Sequence, residues 1–454
     1  MRMKDEKAAN ALIRKLDKLL RSKMAPIYKR YGVSMLDVLT PLMWKPLVLI
    51  IGNYSSGKST FINELLDMPV QRTGQAPTDD SFTILTAPAA GEPEEEIPGG
   101  TIINDDRLPF SPLMPFGERL FAHLRMKKVR SPILEKYAII DTPGMLDSVT
   151  EKDRGYDYLG VVGELARLAD LIILMFDPHK AGTIKETYQA IRSTLPGSTG
   201  EDRVLYVLNR IDECDNVPDL VRAYGTLCWN LSQMTGRKDI PRIYLTFAAK
   251  EGDAPPQGVE SWISERAELK QAVETAPSMR INHVFQEAER GVRELELQAE
   301  ALDAFKNSFG VQTQKALKYG LLISLLVFWF GDVVLKLAFG FPQSTLLGSL
   351  FTKNFDDRVL VFPSLAALLI LGITAVIISS LIFPRFRKKV LEDLDSLIPL
   401  ETAYKRDLWR RVRDRVSTRI EEQGYKQLWI SHSWYRRRLK KFLEKDIGRL
   451  KNKW

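Results

Sequence analysis

The chain has 454 residues, long enough for more than one domain, with 45% hydrophobic and 27% charged side chains, ordinary for a folded protein. Its two cysteines, Cys214 and Cys228, have no metal-ligand spacing and exclude a disulfide framework, which fits a reducing compartment. The net charge of +8 is uneven: 385–454 carries 21 Lys/Arg against 10 Asp/Glu, leaving the rest slightly acidic.

The first seven residues are charged and lack an apolar run, so no signal peptide is expected. Residues 7–22 place Leu12, Ile13, Leu16, Leu19 and Leu20 on one helical stripe, opposite a Lys/Arg-rich face. That pattern predicts a stalk or bundle helix with a solvated side.

From Pro46 the pattern changes to strand–helix alternation. Strands are expected at 47–51, 82–86, 137–140, 171–176, 204–208 and 242–247, giving a doubly wound α/β domain with ligands at the carboxyl ends of the strands. The first strand runs into Gly52-Asn-Tyr-Ser-Ser-Gly-Lys-Ser59, followed by a helix carrying Phe61, Ile62, Leu65 and Leu66. This is a P-loop in strand–loop–helix context. Gly52 and Gly57 let the backbone curl so that N–H groups from Asn53, Tyr54, Ser55, Ser56 and Thr60 can face phosphate oxygens, with the helix adding its positive end. Lys58 is placed to reach the β- and γ-phosphates, and Ser59 to offer a hydroxyl to Mg²⁺.

Three later motifs complete the site in order. Thr78, in Pro77-Thr-Asp-Asp80, is the natural switch threonine, a second hydroxyl for Mg²⁺. Asp141-Thr-Pro-Gly144 ends a strand; its carboxylate can hold the cation through water and the Gly144 N–H can sense a γ-phosphate. Asn209-Arg-Ile-Asp212 reads as a base-recognition N-K-x-D motif with Arg210 for Lys, its stem packing over the base. Ala249-Lys250, after the last strand, is similar to the third base-contacting turn of GTPases. Met145 stands where Ras-like enzymes place a water-orienting Gln, so turnover must rely on other groups.

A Gly/Pro-rich connector, 251–258, leads into a helical stretch, 259–316. Two apolar segments follow. The first, 319–341, is interrupted by Asp332 and Lys336, which must pair, face protein or lie near an interface; the second, 359–383, has no charge. Lys315, Lys318, Arg385, Arg387, Lys388 and Lys389 flank them, predicting a hairpin with both ends on the cytoplasmic side. The tail is helical again, with Leu408, Val412, Val416 and Ile420 on one basic helix and a second helix over 427–451. Beside a membrane, such a tail suits anionic headgroups; no recognised nucleic-acid module accompanies the charge.

The chain resembles the EHD ATPases of the dynamin superfamily over about residues 12–297. The matches are the P-loop above, Pro77-Thr-Asp-Asp-Ser-Phe82, Pro109-Phe110, Phe116-Gly117, Asp141-Thr-Pro-Gly144, Arg154-Gly-Tyr-Asp157 and Asp177-Pro-His-Lys180. Tyr224-Gly-Thr-Leu-Cys-Trp229 looks like a helix that family uses for a dimer contact, which implies Trp229 at a homodimer interface. The resemblance implies a G domain flanked by a helical domain, nucleotide-dependent homo-oligomers and membrane deformation. It carries catalytic roles to Ser55, Lys58 and Thr78, Ser55 helping to orient the leaving phosphate and a cation. Nothing in the chain matches the calcium loop of an EH domain, so EH-type peptide binding is not expected; the apolar hairpin is more like the paddles of bacterial dynamin-like proteins and mitofusins.

The resulting expectation is a membrane-anchored purine nucleoside triphosphatase, leaning to GTP over ATP, with Mg²⁺ as cofactor. Its segments would be stalk helices (1–45), a dynamin-type G domain (46–277), a stalk helix (278–316), the hairpin (317–384) and basic stalk helices (385–454). The alternative is a membrane-tethered switch or scaffold that recruits effectors without mechanical work.

Overall fold

The computed structural model describes residues 2–72, 80–144, 154–180, 203–235, 240–248, 262–340, 345–352, 358–425 and 432–453. All six expected strands are present: β1 (Leu47–Gly52), β2 (Phe82–Thr86), β5 (Ala138–Asp141), β6 (Leu171–Phe176), β7 (Val204–Asn209) and β8 (Ile243–Thr246). Two more, β3 (Glu95–Pro98) at the sheet edge and β4 (Leu124–Lys128) next to it, do not read as apolar runs because they are charged. Their pairing is partly ionic, with Lys128 Nζ 2.7 Å from both Glu92 and Glu95. The sheet order is β3-β4-β2-β5-β1-β6-β7-β8; β2 runs antiparallel to β5 and β3 to β4, and the other pairs are parallel.

The unbroken apolar run of β1 follows from burial on both faces. Leu47, Leu49 and Ile51 enter one core with Val161, Val162 and Leu165 of the helix Tyr158–Leu168; Val48 and Ile50 enter the other with Phe61, Ile62 and Leu65 of the helix Lys58–Leu66. Because β1 is central and both its neighbours are parallel, its end is held where the P-loop begins.

The helix Arg2–Leu19 buries Ile13 and Leu16, and Leu20 follows in the next turn, as the stripe predicts. The region splits into two units, 1–290 with 446–454, and 291–445. In the first unit, Asp170 is buried just before β6. It accepts the Leu47 N–H (2.8 Å) and pairs with Arg280 (3.1 Å) and His283 (2.7 Å), both on the long helix Ala276–Phe339.

In the second unit the chain forms two helices long and apolar enough to cross a membrane, by length and composition. The first ends at Phe339, with Gly340 in the left-handed conformation that suits a helix stop. The second runs from Arg358–Ile377 through a wider turn, Ile378–Ile382, into Phe383–Glu392. They pair through small and hydroxyl side chains: a Cβ on Gly320 would lie 2.5 Å from Thr374, and Ser324 Oγ donates to the Ala367 carbonyl at 3.0 Å. Asp332 resolves the apparent flaw in the first segment. Only 2% exposed, it faces protein and accepts the Leu346 N–H at the start of the short helix Leu346–Thr352. Beyond the hairpin, Phe305 and Phe309 pack on Phe383 and Phe386, and Tyr425 joins them. The basic helix Ala403–Glu422, capped by Thr402, buries Leu408, Val412, Val416 and Ile420 and is tied to the long helix by Lys405–Glu300 (2.9 Å) and Arg415–Glu294 (3.0 Å).

Candidate nucleotide site

The P-loop occupies the gap between β1 and the helix Lys58–Leu66. Ser55 takes a left-handed conformation (φ 64°), and Gly57 does so at φ 87°. Gly57 is required twice over, since a Cβ there would sit 2.3 Å from Asn209 Nδ2. Lys58, buried at the first helical position, aims its ammonium along the inside of the loop and donates to the carbonyls of Gly52 (3.1 Å) and Asn53 (3.0 Å). Ser59 Oγ donates to Asp141 Oδ2 at 3.1 Å. A hydroxyl and a carboxylate are hard oxygen donors, and the hydroxyl keeps its lone pairs while donating its proton, so this pair fits Mg²⁺. Among the described residues no cluster of three or more His, Cys, Asp or Glu is placed to hold a metal ion.

Gly144 lies against the P-loop: a Cβ on it would approach Tyr54 Cα to 2.6 Å. The Asp141–Gly144 turn is therefore held at the loop's open side. Thr78, Met145, Ala249 and Lys250 fall outside the described residues.

The base motif divides its labour. Asn209 is turned inward as a brace: Nδ2 donates to the Ser56 carbonyl (2.8 Å), and Oδ1 accepts from Thr246 (2.9 Å) and Arg266 (3.0 Å). Arg210 sits at φ 63°, donates to the Ser55 carbonyl at 2.6 Å and lies 3.6 Å from buried Asp177. Asp212 follows in a short turn, where burial pushes its carboxyl above the usual range, Glu213 adding to the rise and Arg210 and Arg266 opposing it.

Three contributors escaped sequence reasoning. Gln71 donates to Asp141 Oδ2 at 2.8 Å. Arg154, inside a motif already singled out, donates to the Gly144 carbonyl (2.7 Å), pairs with Asp80 (3.0 Å) and lies over the Tyr158 ring, whose hydroxyl donates to Pro143 O. Arg266 makes a bidentate pair with Glu64 (3.0 Å each) and lies over Phe61. Its place in the Arg154–Asp157 motif was the available signal for Arg154. For Arg266 and Glu64, 202 positions apart, there was none. Trp229 is 66% exposed on the helix Val217–Thr235, which also carries exposed Val217, Val221 and Tyr224.

The chain matches the dynamin family over residues 48–211. It is 30% identical over 339 residues to EH domain-containing protein 1 of Arabidopsis thaliana, covering 72% of this chain and 61% of that protein. It is 34% identical over 253 residues to human EH domain-containing protein 3, covering 54% of this chain and 46% of that protein. The chain thus spans about half to three-fifths of the length of these relatives. A solved chain of an oligomerised bacterial dynamin pair aligns over 99% of this chain and 74% of its own, at 13% identity and a TM-score of 0.38, too distant to bear on fold or function. By its dynamin-family region and its relatives, the chain is an EHD-like protein of the dynamin superfamily.

Proposed function

We propose that this protein is a membrane-anchored nucleoside triphosphatase that binds a purine nucleotide with Mg²⁺, self-associates and remodels the membrane that holds it. The observation that carries the reading is the convergence of Lys58, Ser59 and Asp141 at the end of β1 in a chain that also bears a paired apolar hairpin. Lys58 neutralises phosphate charge. Ser59, Thr78 and Asp141 hold the cation, Asp141 through water, and the cation would screen charge on the transferring phosphate. Ser55 orients the leaving phosphate. Gly144 senses the γ-phosphate. Asp212 accepts from the base edge, Arg210 covers the base, and Ala249 and Lys250 border it.

The five-segment division given above is part of this reading, with both termini and the G domain on the cytoplasmic face. The basic helix after the hairpin, with Arg385, Arg387, Lys388 and Lys389, would meet anionic headgroups. The exposed side of Val217–Thr235 with Trp229 supports a homodimer contact and, from it, higher homo-oligomers.

The test is phosphate release by the full chain in anionic liposomes, with GTP and ATP side by side, across protein concentrations. Turnover per molecule that climbs with lipid and concentration is expected, and the faster substrate names the base. Slow turnover that ignores both would replace this reading with a tethered switch or scaffold.

A further inference from the structure

The Asp141 carboxylate is held by more than the P-loop serine. Gln71 is 6% exposed and reaches it from the loop after the helix Lys58–Leu66. Its Nε2 donates to Asp141 Oδ2 (2.8 Å), the same oxygen that accepts from Ser59 (3.1 Å). Its Oε1 accepts from Lys127 Nζ (3.0 Å), on β4. The amide can sit only one way round, because a carboxylate only accepts and an ammonium only donates. The Gln71 backbone is clasped on both sides by Asn63, whose Nδ2 donates to Gln71 O and whose Oδ1 accepts from Gln71 N, each at 2.8 Å. Asn63 lies one turn beyond Ser59 on the same helix face. The result is a closed ring, Ser59 to Asp141 to Gln71 to Asn63 and back along the helix, with a cation at its rim polarising the amide.

Nothing about apolar packing requires this ring; it buries an amide and a lysine stem to fix one carboxylate oxygen. We infer that Gln71, polarised by Lys127, is a positioning residue that fixes the rotation of the Asp141 carboxylate, so that the Mg²⁺ site is preorganised before cation and nucleotide arrive. This rests on the nucleotide-binding reading above. Gln71 acts through Asp141.

The experiment is retention of a fluorescent nucleotide by the full chain in detergent or liposomes, titrated with free Mg²⁺ and repeated in EDTA. Gln71→Met should raise the Mg²⁺ concentration for half-maximal retention by about 10-fold or more, the loss typical when a ligand's supporting hydrogen bond is removed. Its affinity in EDTA should match the parent. Lys127→Met should shift the Mg²⁺ requirement the same way by less, and the double variant should lose no more than Gln71→Met alone. A thermal melt accompanies each; if Gln71→Met does not fold, Lys127→Met, which leaves the Asn63 clasp in place, decides alone. An unchanged Mg²⁺ requirement overturns the assignment. So does a loss that is equal in EDTA, which would mark Gln71 as a structural brace for the loop. A parent chain that retains no nucleotide with Mg²⁺ would instead sink the nucleotide reading itself, and this inference with it.

Discussion

Lys58 shows how much a single side chain can carry. It is buried at the entrance of a helix with its ammonium directed along the loop, so its removal takes away both the charge and the only cation the loop itself supplies. Lys58→Ala should reduce nucleotide affinity at least 100-fold while leaving the fold intact, read as fluorescent-nucleotide binding beside a thermal melt; unchanged turnover in a pure preparation would refute its role. Arg154 poses a different case. Its guanidinium is 3% exposed and joins the Gly144 carbonyl to Asp80, so it ties the end of the Asp141–Gly144 turn to the residues that lead into β2. Arg154→Met should narrow the affinity gap between a non-hydrolysable triphosphate and the diphosphate several-fold, and equal ratios in parent and variant would deny it that part. Phe61 is a packing residue: fully buried between β1 and Arg266, it should cost about 3–5 kcal/mol on truncation to Ala, read by chemical denaturation.

At the scale of elements, the first turns of the long helix are fastened to the sheet by buried charge. Glu287 lies among Arg167 (3.3 Å), Arg290 (2.9 Å) and His283. Burial alone would raise its carboxyl, but Arg290, Arg167, His283 and Arg203 outweigh that and hold it at about 2, against an ordinary 4.5. A carboxyl depressed in the folded chain stabilises fully above its unfolded value and loses that contribution as pH falls towards the folded one. The melting temperature of the parent should therefore exceed that of Glu287→Gln above pH 4.5, and the gap should close between there and pH 2. The hairpin depends on close approach in place of charge. Gly320→Leu would drive a side chain into Thr374, now 2.5 Å from the glycine's missing Cβ, and should separate the two helices. A disulfide cross-link between cysteines placed at 324 and 367 would form in the parent and weaken in that variant.

For the whole molecule, the consequential feature is a set of large apolar side chains exposed on one helix. Trp229, Val221 and Val217, all on Val217–Thr235, are 66%, 62% and 42% exposed. Trp229→Glu should leave nucleotide affinity unchanged, shift the sedimenting species towards monomer and remove any rise of turnover with protein concentration. A monomeric parent would discard this surface as the dimer contact.

The sequence by itself determined the parts whose chemistry is local. A P-loop is legible because its glycines, lysine and serine are consecutive, and β1, β5, β6 and β7 are legible because strands buried on both faces are apolar throughout. The hairpin is legible because some 20 apolar residues in a row have few other uses. Tertiary structure alone decided the contacts that join remote segments. Charged β3 and β4 become strands only when Glu95 meets Lys128, and Asn209, expected from sequence at the nucleotide, is seen to brace the P-loop only because β7 lies beside that loop. Arg266 finds Glu64, and Gln71 finds Asp141, across loops whose intervening residues carry no record of the meeting. A polar side chain advertises its class in the sequence, but its partner is set by which strands the two-sided burial of the sheet brings together.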